Sequence, residues 1–404
     1  MKDLLHTPEG VRDIYSREYA EKREIERRME SAFTRFGYEG LQTPSFEFFD
    51  IFNQERGSVA SRDMFKFFDR EGNTLVLRPD MTPSIARSAA KYVREEDLPA
   101  KFCYIGNTFV NNSRYQGRLK EITQAGAELI GDGSCDADAE ILAMVVEALV
   151  GCGLKEFQVD VGQVEFFNGL VEAAGLSPET EEELRKRVEA KNFFSVEDFL
   201  NEQNLSEELT NAFLALPHLF GNIDILSEAE ALTDHPRCRA AIRRLRDLYE
   251  LCRLYGVENY ISFDLGMLGK YQYYTGIIFR VFTYGSGEAL GGGGRYDKLM
   301  QQFGRKAPAV GFAISIDQLM LAQSRQHLFV YAPLCREFLY YNETGRKAAL
   351  AFSREMRAQN LALRLFFEPG SEETLIERAK AKKRQNPEAD VFYCSGEKPE
   401  RMTL

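Results

Sequence analysis

Histidine is scarce in this 404-residue chain: His6, His218, His235 and His327 are the whole supply. None stands at ligand spacing from another histidine or from a cysteine, which argues against a zinc site. So few imidazoles also leave little material for a Ser–His or Cys–His nucleophile scheme. The cysteines, at 103, 135, 152, 238, 252, 335 and 394, are scattered and include no C-x-x-C pair. That distribution suits reduced thiols in a cytoplasm and not a disulfide framework. No apolar run reaches membrane-spanning length, and the polar opening MKDLLHTPEGVRD has no signal-peptide character. Internal repeats and low-complexity tracts are absent as well. Positive charge is in deficit: the net charge is −11. Displacing phosphate counterions requires a basic surface, so a dedicated nucleic-acid binder is not expected.

What remains is a chain long enough for two or three domains, with 44% hydrophobic residues to bury. Residues 19–36 carry apolar side chains at helical spacing and stop at Gly37. An extended piece begins at 41–44, two helical turns are expected around 48–52, and 64–69 with 74–77 read as a hairpin. A helix is expected over 84–93, strands over 101–105 and 121–130, a helix over 137–150 and a strand over 157–162. Between 166 and 255 the texture is helical, with start signals at Ser177-Pro178 and at Ser195 followed by Asp198. Strands return at 260–264 and 308–314, and a helix starts over 317–322. The last segment reads as a small α/β unit: strand 328–332, helix 345–359, strand 362–367, basic helix 373–384 and strand 391–393. The cluster Arg378, Lys380, Lys382, Lys383 and Arg384 fits either RNA contact or a solvated helix C-terminus. The fold class is therefore α+β. A core spans 1–165 and 259–325, a helical insertion 166–258, and a small C-terminal unit 326–404.

The stretch QYYTGIIFRVFTYGSGEALGGGGRYD, residues 272–297, organises the rest. Strand-forming residues flank Tyr284-Gly285-Ser286-Gly287 as in a hairpin. The four glycines that follow offer a bare backbone, either a pocket floor with Arg295 and Asp297 at its lip or a bulged edge strand. In QAGAE, the pleat sets Gln124, Gly126 and Glu128 on one face, with Gly126 leaving room between two polar groups. Asp80 and Thr82 end another strand, and only one of Tyr273 and Tyr274 can point inward. A carboxylate with a hydroxyl suits an ammonium; a carboxylate with a tyrosine suits an imidazole. Exposed strand-end charges are the alternative for Asp80 and Glu128.

These motifs, in order and spacing, resemble the class II aminoacyl-tRNA synthetase core, and specifically the histidyl-tRNA synthetase family, over most of residues 7–322. The matching pieces are Phe36-Gly37-Tyr38 through Pro44, Leu77-Arg78-Pro79-Asp80-Met81-Thr82, Gly117-Arg118 through Glu128, Tyr273-Tyr274-Thr275-Gly276, and Gly292 through Asp297. The resemblance implies an antiparallel sheet core, a dimer built through the first piece, and a reduced anticodon-binding-like C-terminal unit. It further implies a histidine pocket at Asp80, Thr82, Gln124, Glu128, Tyr273 and Tyr274, with Arg118, Gly292, Gly293 and Arg295 as a secondary pocket. No metal or cofactor is implied.

The departures are as informative. Where the family has F-R-x-E, this chain has Phe109-Val110-Asn111-Asn112; where it has R-G-L-D-Y-Y, the Arg position is Gly269 and Lys270 follows; where it ends its third motif in Arg, Gln318 stands. Each lost cation removes roughly 3 kcal/mol of transition-state stabilisation in phosphoryl chemistry. These losses resemble the regulatory subunits of short-form ATP phosphoribosyltransferase, a histidyl-tRNA-synthetase-like family without ligase activity. That resemblance implies a hetero-oligomer with a short catalytic subunit, a role in the first step of histidine biosynthesis, and feedback inhibition by L-histidine. It implies no catalytic residues, no tRNA, no membrane and a cytoplasmic location. The feedback histidine has two possible seats, the inherited pocket or an intersubunit site. A working synthetase or amino-acid ligase of the histidyl type, and a module that kept only the dimer fold, are the alternatives.

Overall fold

The computed structural model describes residues 4–52, 59–112, 118–203, 205–269, 274–332 and 335–403. The chain divides into two compact units, Met1–Val330 and Tyr331–Leu404.

In the first unit, α1 (Ser16–Arg35) buries Ile25, Met29, Ala32 and Phe33 along one stripe, the spacing of a core-facing helix. A two-residue strand β1 (Glu39–Gly40) follows. Strands β2 (Phe46–Phe48), β3 (Lys66–Phe68) and β4 (Thr74–Leu77) form a small antiparallel sheet in the order β2-β4-β3. A single 3-10 turn over Phe49–Phe52 stands where two helical turns are expected. Helix α2 (Thr82–Tyr92) has Pro83 in its first turn, where a missing N–H costs nothing. Then come β5 (Ala100–Phe109), β6 (Glu121–Ile130), α3 (Cys135–Gly151) and β7 (Phe157–Gln163). Ser134 caps α3, its Oγ accepting the Ala137 N–H at 3.1 Å.

The helical segment holds α4 (Val164–Ala174), α5 (Pro178–Glu189), α6 (Phe193–Asn201), α7 (Glu207–Ala215), a two-residue β8 (Phe220–Gly221), α8 (Ile225–Ala231) and α9 (Pro236–Tyr255). Ser177 caps α5 as its sequence signal predicts. At α6 the cap is Asn192, which accepts the Ser195 N–H at 3.1 Å, so the helix starts before the Ser195–Asp198 pair. Strands β9 (Ile261–Asp264), β10 (Ile277–Thr283), β11 (Gly291–Arg295) and β12 (Ala309–Ser315) and helix α10 (Ile316–Arg325) complete the unit.

Among the described residues these strands build a nine-stranded sheet in the order β1-β5-β6-β12-β11-β10-β7-β9-β8. The glycine run is itself strand β11, in the sheet interior with β10 on one side and β12 on the other. It is not a bulged edge. The packing leaves no room for a side chain: a Cβ on Gly293 would lie 2.1 Å from the Gly311 carbonyl oxygen and 2.8 Å from the Phe279 ring. One continuous apolar core joins sheet residues Ala125, Val161, Phe279 and Phe312 with Ile141 and Leu142 of α3 and with Phe166, Phe213 and Leu245 of the helical segment. The helices between 164 and 255 therefore share the sheet's core.

In the second unit, β13 (Glu337–Tyr341), α11 (Arg346–Ala358), β14 (Arg364–Phe367), α12 (Glu372–Gln385), β15 (Asp390–Cys394) and β16 (Glu400–Arg401) give a four-stranded sheet, β14-β13-β15-β16, parallel except for β16. Helix α11 packs with Leu339 and Cys394, and α12 with Phe338 and Val391. The strand expected at 328–332 is irregular chain; the first strand of this unit is β13. Of the basic cluster, Lys382, Lys383 and Arg384 occupy the last turn of α12, where the helix dipole favours cations. Arg378 pairs with Glu368 at 3.3 Å and Lys382 lies over the Phe338 ring.

Gly293→Ala is expected to destabilise the first unit by about 3 kcal/mol or fail to fold, because the clash is with backbone. A denaturant midpoint equal to the parent's would show that the sheet relaxes around a methyl group.

Candidate functional site

A cavity of about 570 Å³ lies over β6, β12, β11 and β10. Strand register determines which residues share its surface. Gly126 faces Ala313, Ala313 faces Gly292, and Gly292 faces Arg280, forming one row; Glu128, Gly311, Gly294 and Ile278 form the next. Partners opposite one another in a sheet present their side chains to the same face. The glycines supply bare floor, and the chemistry comes from neighbouring elements.

Asp80 and Thr82, leading into α2, line the cavity, and Asp80 Oδ1 accepts the Thr82 N–H at 3.3 Å. Gln124 lines it from β6, and its buried Oε1 accepts no hydrogen bond. Tyr274 lies against the ledge: a Cβ on Gly294 would meet its ring at 2.8 Å. Gly292 and Gly293 form part of the floor. Arg118 stands at the rim in an ion pair with Glu288. Tyr273 and Lys270 lie outside the described residues.

Three sequence-based expectations are corrected. Glu128 does not line the cavity; it is fully buried behind it, where the Thr82 hydroxyl donates to one carboxyl oxygen at 2.8 Å and the Tyr296 hydroxyl to the other. The room expected at Gly126 is filled by Tyr104, whose hydroxyl would lie 2.4 Å from a Cβ there. Arg295 is not at the lip. Its guanidinium is buried on Asp138 of α3, at 2.9 and 2.6 Å, and it also donates to the Asp132 carbonyl at 2.9 Å. Strand alternation gives the reason: Gly294 and Tyr296 share the cavity face, so Arg295 points to the other, where Asp138 is 0% exposed. Asp138 also accepts from Arg244 of α9 at 2.6 Å.

Tyr296 is the residue that sequence reasoning passed over. It lines the cavity and holds Glu128. The signal was available, since the same alternation that turns Arg295 away brings Tyr296 in. For Asp138 no local signal existed.

A second cavity, about 930 Å³, adjoins the first and shares Arg118, Ile122, Gln124 and Glu288 with it. Val110, Asn112 and Gln318 line it. Its guanidiniums are opposed: Arg12 by Glu18 at 2.5 Å, Arg118 by Glu288, and Arg325 by the Gly285 carbonyl at 2.7 Å. Among the described residues no group of three or more His, Cys, Asp and Glu could hold a metal ion, and no helix is long and apolar enough to cross a membrane.

Glu128 has an unusual electrostatic setting. Burial pushes its carboxyl up to about 8; the Tyr296 and Thr82 hydroxyls pull the other way, and Asp80 adds a smaller upward push. Near neutrality the group therefore carries its proton, and a cationic ligand beside it would favour ionisation.

The histidyl-tRNA synthetase family profile matches residues 10–319, so the fold and cavity are those of the histidyl-tRNA-synthetase-like class. The chain is 40% identical over 370 residues to the ATP phosphoribosyltransferase regulatory subunit of Acetivibrio thermocellus, covering 92% of this chain and 88% of that one. It is 41% identical over 362 residues to the regulatory subunit of the same name from Ruminiclostridium cellulolyticum, covering 90% and 86%. The crystal structure of an ATP phosphoribosyltransferase regulatory subunit/histidyl-tRNA synthetase from Bacillus halodurans C superimposes with a TM-score of 0.86 at 30% identity, over 98% of this chain and 100% of that one. The chain belongs to the family of ATP phosphoribosyltransferase regulatory subunits.

The raised carboxyl yields a stability test. Because the folded value of about 8 lies above the ordinary 4.5, the stabilisation is present below the lower value and is lost as pH rises through the upper one. Between those limits the parent should lose on the order of a few kcal/mol relative to Glu128→Gln, read as the gap between their denaturant midpoints. Parallel curves across the window would show that the carboxyl titrates normally.

Proposed function

We propose that this chain is the non-catalytic regulatory subunit of an ATP phosphoribosyltransferase: it assembles with a short catalytic subunit, supports the first step of histidine biosynthesis and makes that step sensitive to L-histidine. The observation that carries the reading is the composition of the cavity walls. Val110, Gly269 and Gln318, the positions at which the synthetase pattern has arginine, all line the paired cavities. Adenylate formation builds negative charge that positioned cations must meet, and the guanidiniums of Arg12, Arg118 and Arg325 are already engaged.

The amino-acid side keeps its polar groups. Asp80, Thr82, Gln124 and Tyr274 converge on one cavity, with Glu128 reached through the hydroxyls of Thr82 and Tyr296. An acidic and phenolic cluster suits the ammonium and imidazole of histidine. Self-association through the segment 36–44, which carries β1, supplies the dimer on which catalytic subunits assemble; neither tRNA nor a membrane takes part.

Under linkage, histidine and the catalytic partner must alter each other's affinity by one and the same factor. Co-expression with a short catalytic chain tests the proposal. The two should co-purify, and histidine should inhibit the complex while leaving the free catalytic chain unaffected. A coupling of about 1–3 kcal/mol would change histidine affinity roughly 5- to 150-fold on assembly. Separate elution of the chains, with activity indifferent to histidine, would contradict it.

A further inference from the structure

The cavity holds a guanidinium that no motif marks. Arg280, on β10, lines the cavity and its strand partner on the glycine ledge is Gly292, which has no side chain. Among the described residues only Arg118 and Arg280 bring positive charge to this cavity. Arg118 is at the rim with a side chain 55% exposed, whereas that of Arg280 is 34% exposed. Glu189, the last residue of α5, accepts from Arg280 at 2.9 Å.

Position 269 is a glycine at φ +80°, and a Cβ built there would stand 2.5 Å from Ile278 Cδ1. Ile278 and Arg280 are two residues apart on one strand, hence on one face and roughly 7 Å apart. Arg280 and Gly269 line the same cavity, and position 269 has no side chain of its own. Gln124 approaches from the far side, with its buried Oε1 unpartnered. Three strand spacings separate β10 from β6, roughly 14 Å between Cα atoms. Gln124 stands two residues along β6 from Gly126, the member of Arg280's row on that strand, so the glycine ledge lies between the two side chains' strands.

We propose that Arg280 receives the carboxylate of an amino acid bound in this cavity, and that Glu189 holds the same guanidinium until that carboxylate arrives. One carboxylate replaces another, so the charge around Arg280 is conserved. The mechanical state is not: the end of α5 is released from β10, while Lys191 keeps its own bond to Asp264 at 2.7 Å. Ligand binding is thereby read out in the helical segment. This inference rests on the reading of the cavity as an amino-acid pocket.

Calorimetry with L-histidine and with histamine, which lacks the carboxylate, tests it on the full chain and on Arg280→Gln and Glu189→Gln. Arg280→Gln should weaken histidine about tenfold and leave histamine unchanged. Glu189→Gln, which removes the competitor, should tighten histidine several-fold, again without moving histamine. A histidine-to-histamine ratio identical in all three proteins overturns the role of Arg280 and leaves the pocket intact. Binding of neither ligand by the parent overturns the amino-acid reading itself, and Arg280 with it. Should Arg280→Gln fail to fold, the ratio measured on Glu189→Gln decides alone.

Discussion

A strand almost devoid of side chains runs through the interior of the large sheet, and the site is a consequence of that. At Gly293 the neighbouring carbonyl lies where a Cβ would have to be. The strands on both sides close in on bare backbone, and a ledge results that cannot supply chemistry of its own. The functional groups above it are sent in from β6, β10, the start of α2, and the segments just before β10 and just after β11 that carry Tyr274 and Tyr296. Just beyond the glycines, two consecutive side chains part to opposite faces. Arg295 ties the sheet to α3 and, through Asp138 and Arg244, to α9. Tyr296 ties it to Glu128. The last residue of this strand and the one that follows it thus secure the helical layer on one side and the polar cluster on the other.

The two adjoining cavities differ in what their walls can do. One collects carboxyl, hydroxyl, amide and phenol groups around a carboxyl that burial holds in its protonated form near neutral pH. The other is large enough for a nucleotide, but Val110, Asn112 and Gln318 stand on its walls, and the guanidiniums named above face carboxylates or a carbonyl. A triphosphate entering it would have to displace those partners to reach the guanidiniums, which leaves Lys120 as the other cation on the wall among the described residues. The asymmetry between a furnished amino-acid side and a neutralised phosphate side is the physical content of the regulatory reading.

Much of this was legible in the residues. Strand periodicity located β5, β6 and β12, the alanine-rich α3 announced itself as a buried helix, and the ordered motifs named the fold. What escaped depended on contacts distant in sequence. Tyr104 fills the hollow at Gly126 because β5 lies beside β6, and nothing in QAGAE reveals that. The run at 328–332 is as apolar as a strand, but pairing selected Glu337–Tyr341 in its place. Asn192 caps α6 because its side chain reaches the Ser195 N–H, three residues before the box expected at Ser195. Arg295 is a different case: alternation along its own strand predicts the outward turn, and the motif's reputation for ligand contact obscured it.

The central claim is that an amino-acid cradle persists where the means of activating its guest is gone. Histidine-dependent exchange of label between pyrophosphate and ATP, measured at high protein concentration alongside direct histidine binding, tests it most directly. The account predicts saturable histidine binding with no exchange above background. Exchange that rises with histidine would contradict it, and would mean that cations outside those described here serve the phosphates.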